Sequence, residues 1–233
     1  MLTYGDARNC SPVRGLLAAV VAATALAAIA HAQSATGRVV GRVRLVAAHS
    51  TRPLALAYAS RTLSAPGQPG VETGNVVVYL RDVPATQVPP RRFEMRQQDE
   101  MFVPRVLPIP LGSSVVFPNT DPYFHNVFSL SRAASFDLGR YPKGQSRVRQ
   151  FTQAGLVKVF CHLHAHMTGV VMVLDHPWFA TPSSDGTFVI ADVPAGRRTV
   201  SAWHERIGEA NIKVEVPAGG EASVEFVLPV VEP

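Results

Sequence analysis

The sequence predicts an all-β protein. Past residue 32 the apolar side chains show almost no 3.6-residue periodicity. They fall instead into short runs that alternate with polar residues, and Gly, Pro and Asp interrupt those runs at close intervals.

The first residues stand apart from this pattern. Arg8 and Arg14 precede the uncharged run Gly15–Ala30, and Ala30-His31-Ala32 is an A-x-A cleavage site. Residues 1–32 therefore read as a signal peptide, with a mature chain starting near Gln33 and exported to the periplasm. The apolar run is short of the roughly 20 residues that a spanning helix needs, and no later segment is long and apolar enough, so no membrane span is expected after cleavage. Cys10 leaves with the signal peptide and Cys161 remains as a single thiol, which rules out an internal disulfide. The formal charge of +5 falls to +4 once Arg8, Arg14 and Asp6 are gone, a balance that favours acidic partners. No Lys/Arg run carries interleaved aromatics, so nucleic acid is not indicated. The sequence does not specify an oligomeric state.

The strands follow in order. Residues 37–46, GRVVGRVRLV, place Val39, Val43 and Leu45 on one face and Arg42 and Arg44 on the other. The Pro-, Ser- and Gly-bearing stretch 48–74 reads as a long exposed loop. Residues 75–80, NVVVYL, form a strand, and the three prolines in 83–90 break the pattern. Residues 93–97 read as a strand and 102–106 as an extended segment, with Pro108 and Pro110 suited to an edge or a kink. Strands are expected at 113–117, 127–130, 136–141, 147–151, 156–161 and 168–174. Asn119-Thr120-Asp121-Pro122 and Gln153-Ala154-Gly155 are turns between them. In the last block, Asp185-Gly186 signals a hairpin between 182–184 and 187–190. Pro194-Ala195-Gly196 is a turn, and strands are expected at 200–203, 212–216 and 224–228.

The final block of about 50 residues is too small for an independent core, and the strands before residue 84 have no other partner. The two are expected to pair, giving a discontinuous β-sandwich from 36–84 and 176–230 with the block 92–175 inserted between its halves.

Within that block, residues 157–172, VKVFCHLHAHMTGVVM, hold Cys161, His164 and Met167 as Cys-x-x-His-x-x-Met. A thiolate, an imidazole and a thioether are three of the four side chains of a blue-copper site, and His125 in NTDPYFHNV is placed to supply the fourth. A trigonal His₂Cys set with a weak axial Met suits both Cu(I) and Cu(II), so one copper ion is the expected cofactor. Alternation puts Val157, Val159 and Cys161 on the inward face of a strand. His166 is an alternative ligand to His164, but Met167 is then adjacent and badly placed. His162 is expected to point away from the core, and His162 with His166 forms an alternative surface metal patch. Zinc is compatible with Cys and His but rarely takes Met.

Residues 93–174 resemble the small cupredoxins. The resemblance is carried by Phe102-x-Pro104, Gly112-x-x-Val115-x-Phe117, Asn119-x-Asp121, His125-Asn126 and the strand ending at Cys161. The ligand-loop spacing is similar to that of amicyanin and shorter than that of plastocyanin. This resemblance implies a Greek-key sandwich with His125, Cys161 and His164 as equatorial ligands and Met167 as axial ligand. It also implies that Asn126 ties the two ligand loops together by hydrogen bonds. The His-rich loop departs from the apolar patch usual around the second His of that family. The flanking segments GRVVGRVRL, NVVVYL and SSDGTFVIADVPAGRRTVSAWH resemble a carboxypeptidase-regulatory-like (transthyretin-like) β-sandwich. The combination resembles periplasmic proteins of the methylamine utilisation type. His204 is expected to be structural or exposed rather than a ligand.

The expected function is one-electron transfer by a periplasmic copper protein to a periplasmic redox partner, whose surface is acidic if the net charge is a guide. Copper delivery or sequestration, or partner or carbohydrate binding by the outer sandwich, are the alternatives. An enzyme is not indicated, since no Ser-His-Asp order and no paired-carboxylate motif occurs.

Overall fold

The computed structural model describes residues 36–48 and 72–231. The signal-peptide reading (1–32) and most of the loop 48–74 lie outside the described residues. Among the described residues every named element is a strand, and no helix is long and apolar enough to cross a membrane.

The chain opens with β1 (Thr36–Ala48) and β2 (Val76–Arg81). There follow β3 (Arg92–Glu94), β4 (Arg96–Gln98), β5 (Met101–Val103), β6 (Val106–Pro110), β7 (Ser114–Pro118), β8 (His125–Ser131), β9 (Ala134–Tyr141), β10 (Ser146–Gln150), β11 (Gly155–Phe160) and β12 (Thr168–Leu174). It closes with β13 (Phe179–Ala180), β14 (Thr187–Pro194), β15 (Gly196–His204), β16 (Gly208–Val216) and β17 (Glu221–Val231).

Two pairs of sheets result, with β4 and β5 forming a separate two-stranded ribbon. The strands from both ends of the chain form a three-stranded sheet, β14-β1-β17, and a four-stranded sheet, β13-β2-β15-β16. β1 runs parallel to β17 over eleven residue pairs, from Arg38–Glu221 to Ala48–Val231. Between these sheets lies one core, built from Val39 and Val43 of β1, Val76, Val78 and Leu80 of β2, and Val224, Phe226 and Leu228 of β17. The middle of the chain forms a five-stranded sheet, β6-β12-β11-β8-β9, and a three-stranded sheet, β10-β7-β3. Their core includes Met95, Phe102, Val115, Phe117, Tyr141, Phe151, Val157 and Val159. A third, smaller cluster joins the two: Val77, Tyr79 and Trp203 of β2 and β15 meet Val106 of β6 and Val170, Met172 and Leu174 of β12.

β12 is therefore covered on both faces, and from Gly169 onward every residue is buried. Its unbroken apolar run is what such a position requires, because neither face can be polar. At the sheet edge β6 carries Pro108 and Pro110, where a missing N–H costs no ladder bond.

Several details differ from the sequence expectation. The strand read at 93–97 divides at Met95, whose side chain is buried in the core while its N–H bonds Val116 O at 2.9 Å. The chain there leaves β7 to pair instead with β5. The extended segment 102–106 divides at Pro104, which has no N–H to donate. Asp185-Gly186 forms a turn, with Gly186 N–H to Ser183 O at 2.8 Å, but no hairpin, because 182–184 is not a strand. The short strand β13, seated on Val78 and Tyr79, was missed because two residues carry no readable period.

Gly41 marks a tight point of the outer sandwich. A Cβ there would collide with Val224 O and come within 2.7 Å of the Phe188 ring. Gly41→Ala is expected to destabilise the protein by about 3 kcal/mol through overpacking against backbone, read as a lower urea midpoint with an unchanged slope.

Two buried histidines set a pH dependence. Burial holds His176 below the usual histidine range, against the opposing pull of Asp175 and the Leu80 carbonyl, and its Nδ1 has no hydrogen-bond partner. Burial likewise holds His204 low, outweighing the Glu72 carboxylate beside it. In the folded state both bind fewer protons than in the unfolded state, where the value is about 6.5. Stability is thus fully present above that value and is lost as pH falls towards the depressed folded values. Urea unfolding at neutral and mildly acidic pH is expected to show this loss, and His176→Gln is expected to flatten the slope.

Candidate metal centre

Three titratable side chains converge at one end of the inner sandwich. β11 carries Val157 and Val159 into the core, and the same alternation turns the Cys161 side chain inward just past its end. Met167 N–H donates to His164 O at 2.9 Å and closes the loop 161–167 so that His164 folds back over Cys161. His125 begins β8, opposite Tyr141, and a register shift follows between Asn126 and Phe128. Such a bulge redirects side chains. It allows three consecutive residues, His125, Asn126 and Val127, to be buried. The strand read at 127–130 consequently starts two residues earlier.

The ligand atoms form a triangle. His125 Nδ1 lies 3.0 Å from His164 Nδ1, and Cys161 Sγ lies 3.9 Å from the first and 3.8 Å from the second. A point equidistant from all three is about 2.1 Å from each. Metal–imidazole bonds of about 2.0–2.1 Å and metal–thiolate bonds of about 2.3 Å, as found for zinc, suit that spacing. His125, Cys161 and His164 are the one such group found among the described residues. Met167, next along the loop, is buried in the same core.

Asp121 orients this triangle, a role that sequence reasoning missed by reading it as part of a turn and of the Asn119-x-Asp121 motif only. Its Oδ2 lies 2.9 Å from His125 Nε2. Its two oxygens also accept the N–H groups of Asp99 (2.7 Å) and Glu100 (2.9 Å). Burial pushes the Asp121 carboxyl up, but the Glu100 N–H, the His125 ring and the Asp99 N–H outweigh it and hold it below the ordinary range. An ionised carboxylate only accepts, so His125 Nε2 carries the proton and its Nδ1 lone pair faces Cys161 and His164. The available signal was spacing: Asp121 stands four residues before His125. The loop between them is held by Asn119, whose side-chain N–H₂ donates to Tyr123 O (2.8 Å) and Tyr141 O (3.0 Å).

The same carboxylate holds a strained turn. Asp99 and Glu100 link β4 to β5 with φ of 53° and 54°, a left-handed pair that ordinarily selects Asn-Gly. The turn brings Glu100 to the mouth of the site. Its carboxylate lies 3.1 Å from His166 Nε2 and 4.0 Å from His164 Nε2.

The other histidines stay outside the triangle. The His162 ring stacks on Phe128 at 3.8 Å between centroids and is half exposed. His166 is exposed and paired with Glu100. Asn126 Oδ1 accepts the His162 N–H at 2.7 Å, which joins the start of β8 to the loop after Cys161. The expected lack of an apolar patch is corrected: Tyr123, Phe124 and Leu163 are all exposed, and the Tyr123 ring centre is 6.4 Å from that of His164. Two of the three come from the loop before His125, so the composition of the ligand loop alone could not reveal them. His204 is buried and bonded to Glu72, remote in sequence from the triangle.

No known protein family and no curated protein sequence matches the chain. Among solved structures it is similar to a purple cupredoxin from Nitrosopumilus maritimus, at 22% identity over 35% of this chain and 98% of that one, with a TM-score of 0.32. It is also similar to a point mutant of amicyanin in its reduced state, at 23% identity over 36% of this chain and 82% of that one, TM-score 0.33. A third similarity is to a copper-containing nitrite reductase from Thermus scotoductus, at 22% identity over 47% of this chain and 27% of that one, TM-score 0.35.

Proposed function

We propose that this protein is a type 1 copper protein that carries single electrons in the periplasm, exported by the N-terminal signal. The observation behind this reading is the buried triangle of two imidazole nitrogens and one sulfur, spaced for a single small cation and oriented from behind by Asp121. Copper bound there would supply the Cu(I)/Cu(II) couple. Cys161 contributes the thiolate, His125 and His164 the nitrogens, and Met167 the thioether. The flanking strands are read as a carboxypeptidase-regulatory-like sandwich that supports the metal-binding unit of 92–175.

The residues prepare the site in a definite order of protons. With His125 Nδ1 unprotonated, the 3.0 Å contact makes His164 Nδ1–H the donor. To accept a cation, His164 must move that proton to Nε2, the side that Glu100 faces, and Cys161 must lose its own. Burial of the core behind Cys161 keeps water from the sulfur, while half-buried His164 connects the site to the surface.

Titrating the purified protein with cupric ion tests the reading. An intense visible thiolate-to-copper band with narrow hyperfine splitting supports it, and a protein that stays colourless overturns it. A pale, labile centre would favour copper delivery or storage, the reading that exposed His166 and its partner Glu100 support. Met167→Leu is expected to retain copper and raise the reduction potential, measured by redox titration, because a weak donor to Cu(II) is removed.

A further inference from the structure

The charges of this molecule are not evenly met. In the outer sandwich arginines face carboxylates: Arg38–Glu221 and Arg44–Glu225 at 2.7 Å, Arg81–Glu209 at 2.6 Å. From residue 130 to residue 160 the chain carries Arg132, Arg140, Lys143, Arg147, Arg149 and Lys158 against one carboxylate, Asp137. None of those six cations forms an ion pair among the described residues.

The fold gathers them along one side. β9 ends the five-stranded sheet and β10 ends the three-stranded sheet. The two edges adjoin, because the Arg147 guanidinium lies 5.0 Å from the Tyr141 ring centre and that of Arg149 5.3 Å from Phe136. Arg140 stands opposite Asn126, one residue from His125, and Lys143 lies in the turn that follows. Arg132 occupies the β8–β9 turn at the far end, and Lys158 is beside it, its N–H bonded to Ser131 Oγ at 2.9 Å. Leu130, 80% exposed, lies two residues before Arg132, and Val148, 49% exposed, is on the opposite face of β10 from Arg147 and Arg149.

Inward-pointing arginines on an edge strand also guard against edge-to-edge pairing. That reason covers Arg147 and Arg149, which share a face with Phe117 and Val115 of β7. It does not cover Arg140, Lys143, Arg132 and Lys158, which are exposed.

We propose that the β9–β10 edge is a docking surface for an acidic face of another protein. This goes beyond the metal reading and does not depend on it. Arg132, Arg140, Lys143 and Lys158 are exposed and form no ion pair among the described residues, so they are free to meet carboxylates of a partner. Four of the six are arginine, whose planar fork suits bidentate contact with the carboxylates of a protein face. Leu130, exposed two residues before Arg132, supplies the apolar contact of a protein interface.

The test uses the metal-free full chain and a fluorescent polyglutamate peptide as probe, with phosphatidylglycerol vesicles as the second arm. The edge variant is Arg140→Gln/Lys143→Gln/Arg147→Gln, and the charge-matched control is Arg38→Gln/Arg44→Gln/Arg197→Gln. Far-ultraviolet circular dichroism and the urea midpoint show that each variant is folded, and Arg140→Gln/Lys143→Gln alone serves if Arg147 proves necessary for folding. The edge variant is expected to bind the peptide at least about tenfold more weakly than wild type, with the control near wild type. The difference shrinks at about 0.15 M salt, where the Debye length is about 8 Å. Equal weakening in edge variant and control overturns the proposal, as does binding to vesicles without binding to peptide.

Discussion

Replacing Cys161 with serine is expected to eliminate the intense thiolate-to-copper absorption entirely and to cut copper affinity by orders of magnitude, while the far-ultraviolet spectrum stays that of the wild type. Serine keeps the volume and the inward direction set by β11, but its hydroxyl is a poor donor to a soft cation and does not ionise at neutral pH. The two imidazoles, with Nδ1 atoms 3.0 Å apart, remain in place. Spectra and copper titrations of the two proteins measure both effects. A variant that kept the strong band would show that the sulfur is not a ligand.

Asp121→Asn is expected to have the second largest effect. The asparagine amide can turn N–H₂ towards His125, in which case the ring must accept at Nε2 and carry its proton on Nδ1, facing into the triangle. If it turns its oxygen there instead, Glu100 N–H keeps its acceptor but Asp99 N–H, which bonds the other oxygen, loses one, and the left-handed turn loses part of its anchor. Either arrangement leaves one partner unsatisfied. Loss of a carboxylate behind a ligating histidine typically lowers metal affinity by about 10–100-fold, and leaving a buried N–H without an acceptor costs about 1–3 kcal/mol. Competition with a chelator of known affinity measures the first, and urea unfolding of the metal-free protein measures the second. NMR of the His125 ring nitrogens distinguishes the two arrangements.

The all-β class was legible because alternation survives in short segments: Ile212, Val214 and Val216 point one way in β16 as their spacing requires, and Val224, Phe226 and Leu228 do the same in β17. The positions of His125, Cys161 and His164 were legible because a ligand loop that closes on the end of one strand must bring its residues together. What surrounds them was not. Asp121 acts through a contact that depends on the 119–125 loop doubling back, and Glu100 reaches the site only because β4 and β5 turn through two left-handed residues. Neither event leaves a periodic trace. Tyr123 likewise becomes a neighbour of His164 across about 40 residues of chain, so its place beside that ring belongs to the fold rather than to local pattern. The division at Met95 was hidden for a related reason: a strand that changes partners keeps its alternation.

β12 leads directly out of the ligand loop and is gripped on both faces, by Val171 and Val173 in one core and by Val170, Met172 and Leu174 in the cluster against Trp203 and Val77. The proposed metal centre is therefore not portable. A fragment cut at residues 92 and 175 would lay bare a greasy stripe along the very strand that positions Met167, and would be expected to precipitate rather than turn blue. Any transplant of the centre into another scaffold would have to bring β2 and β15 with it.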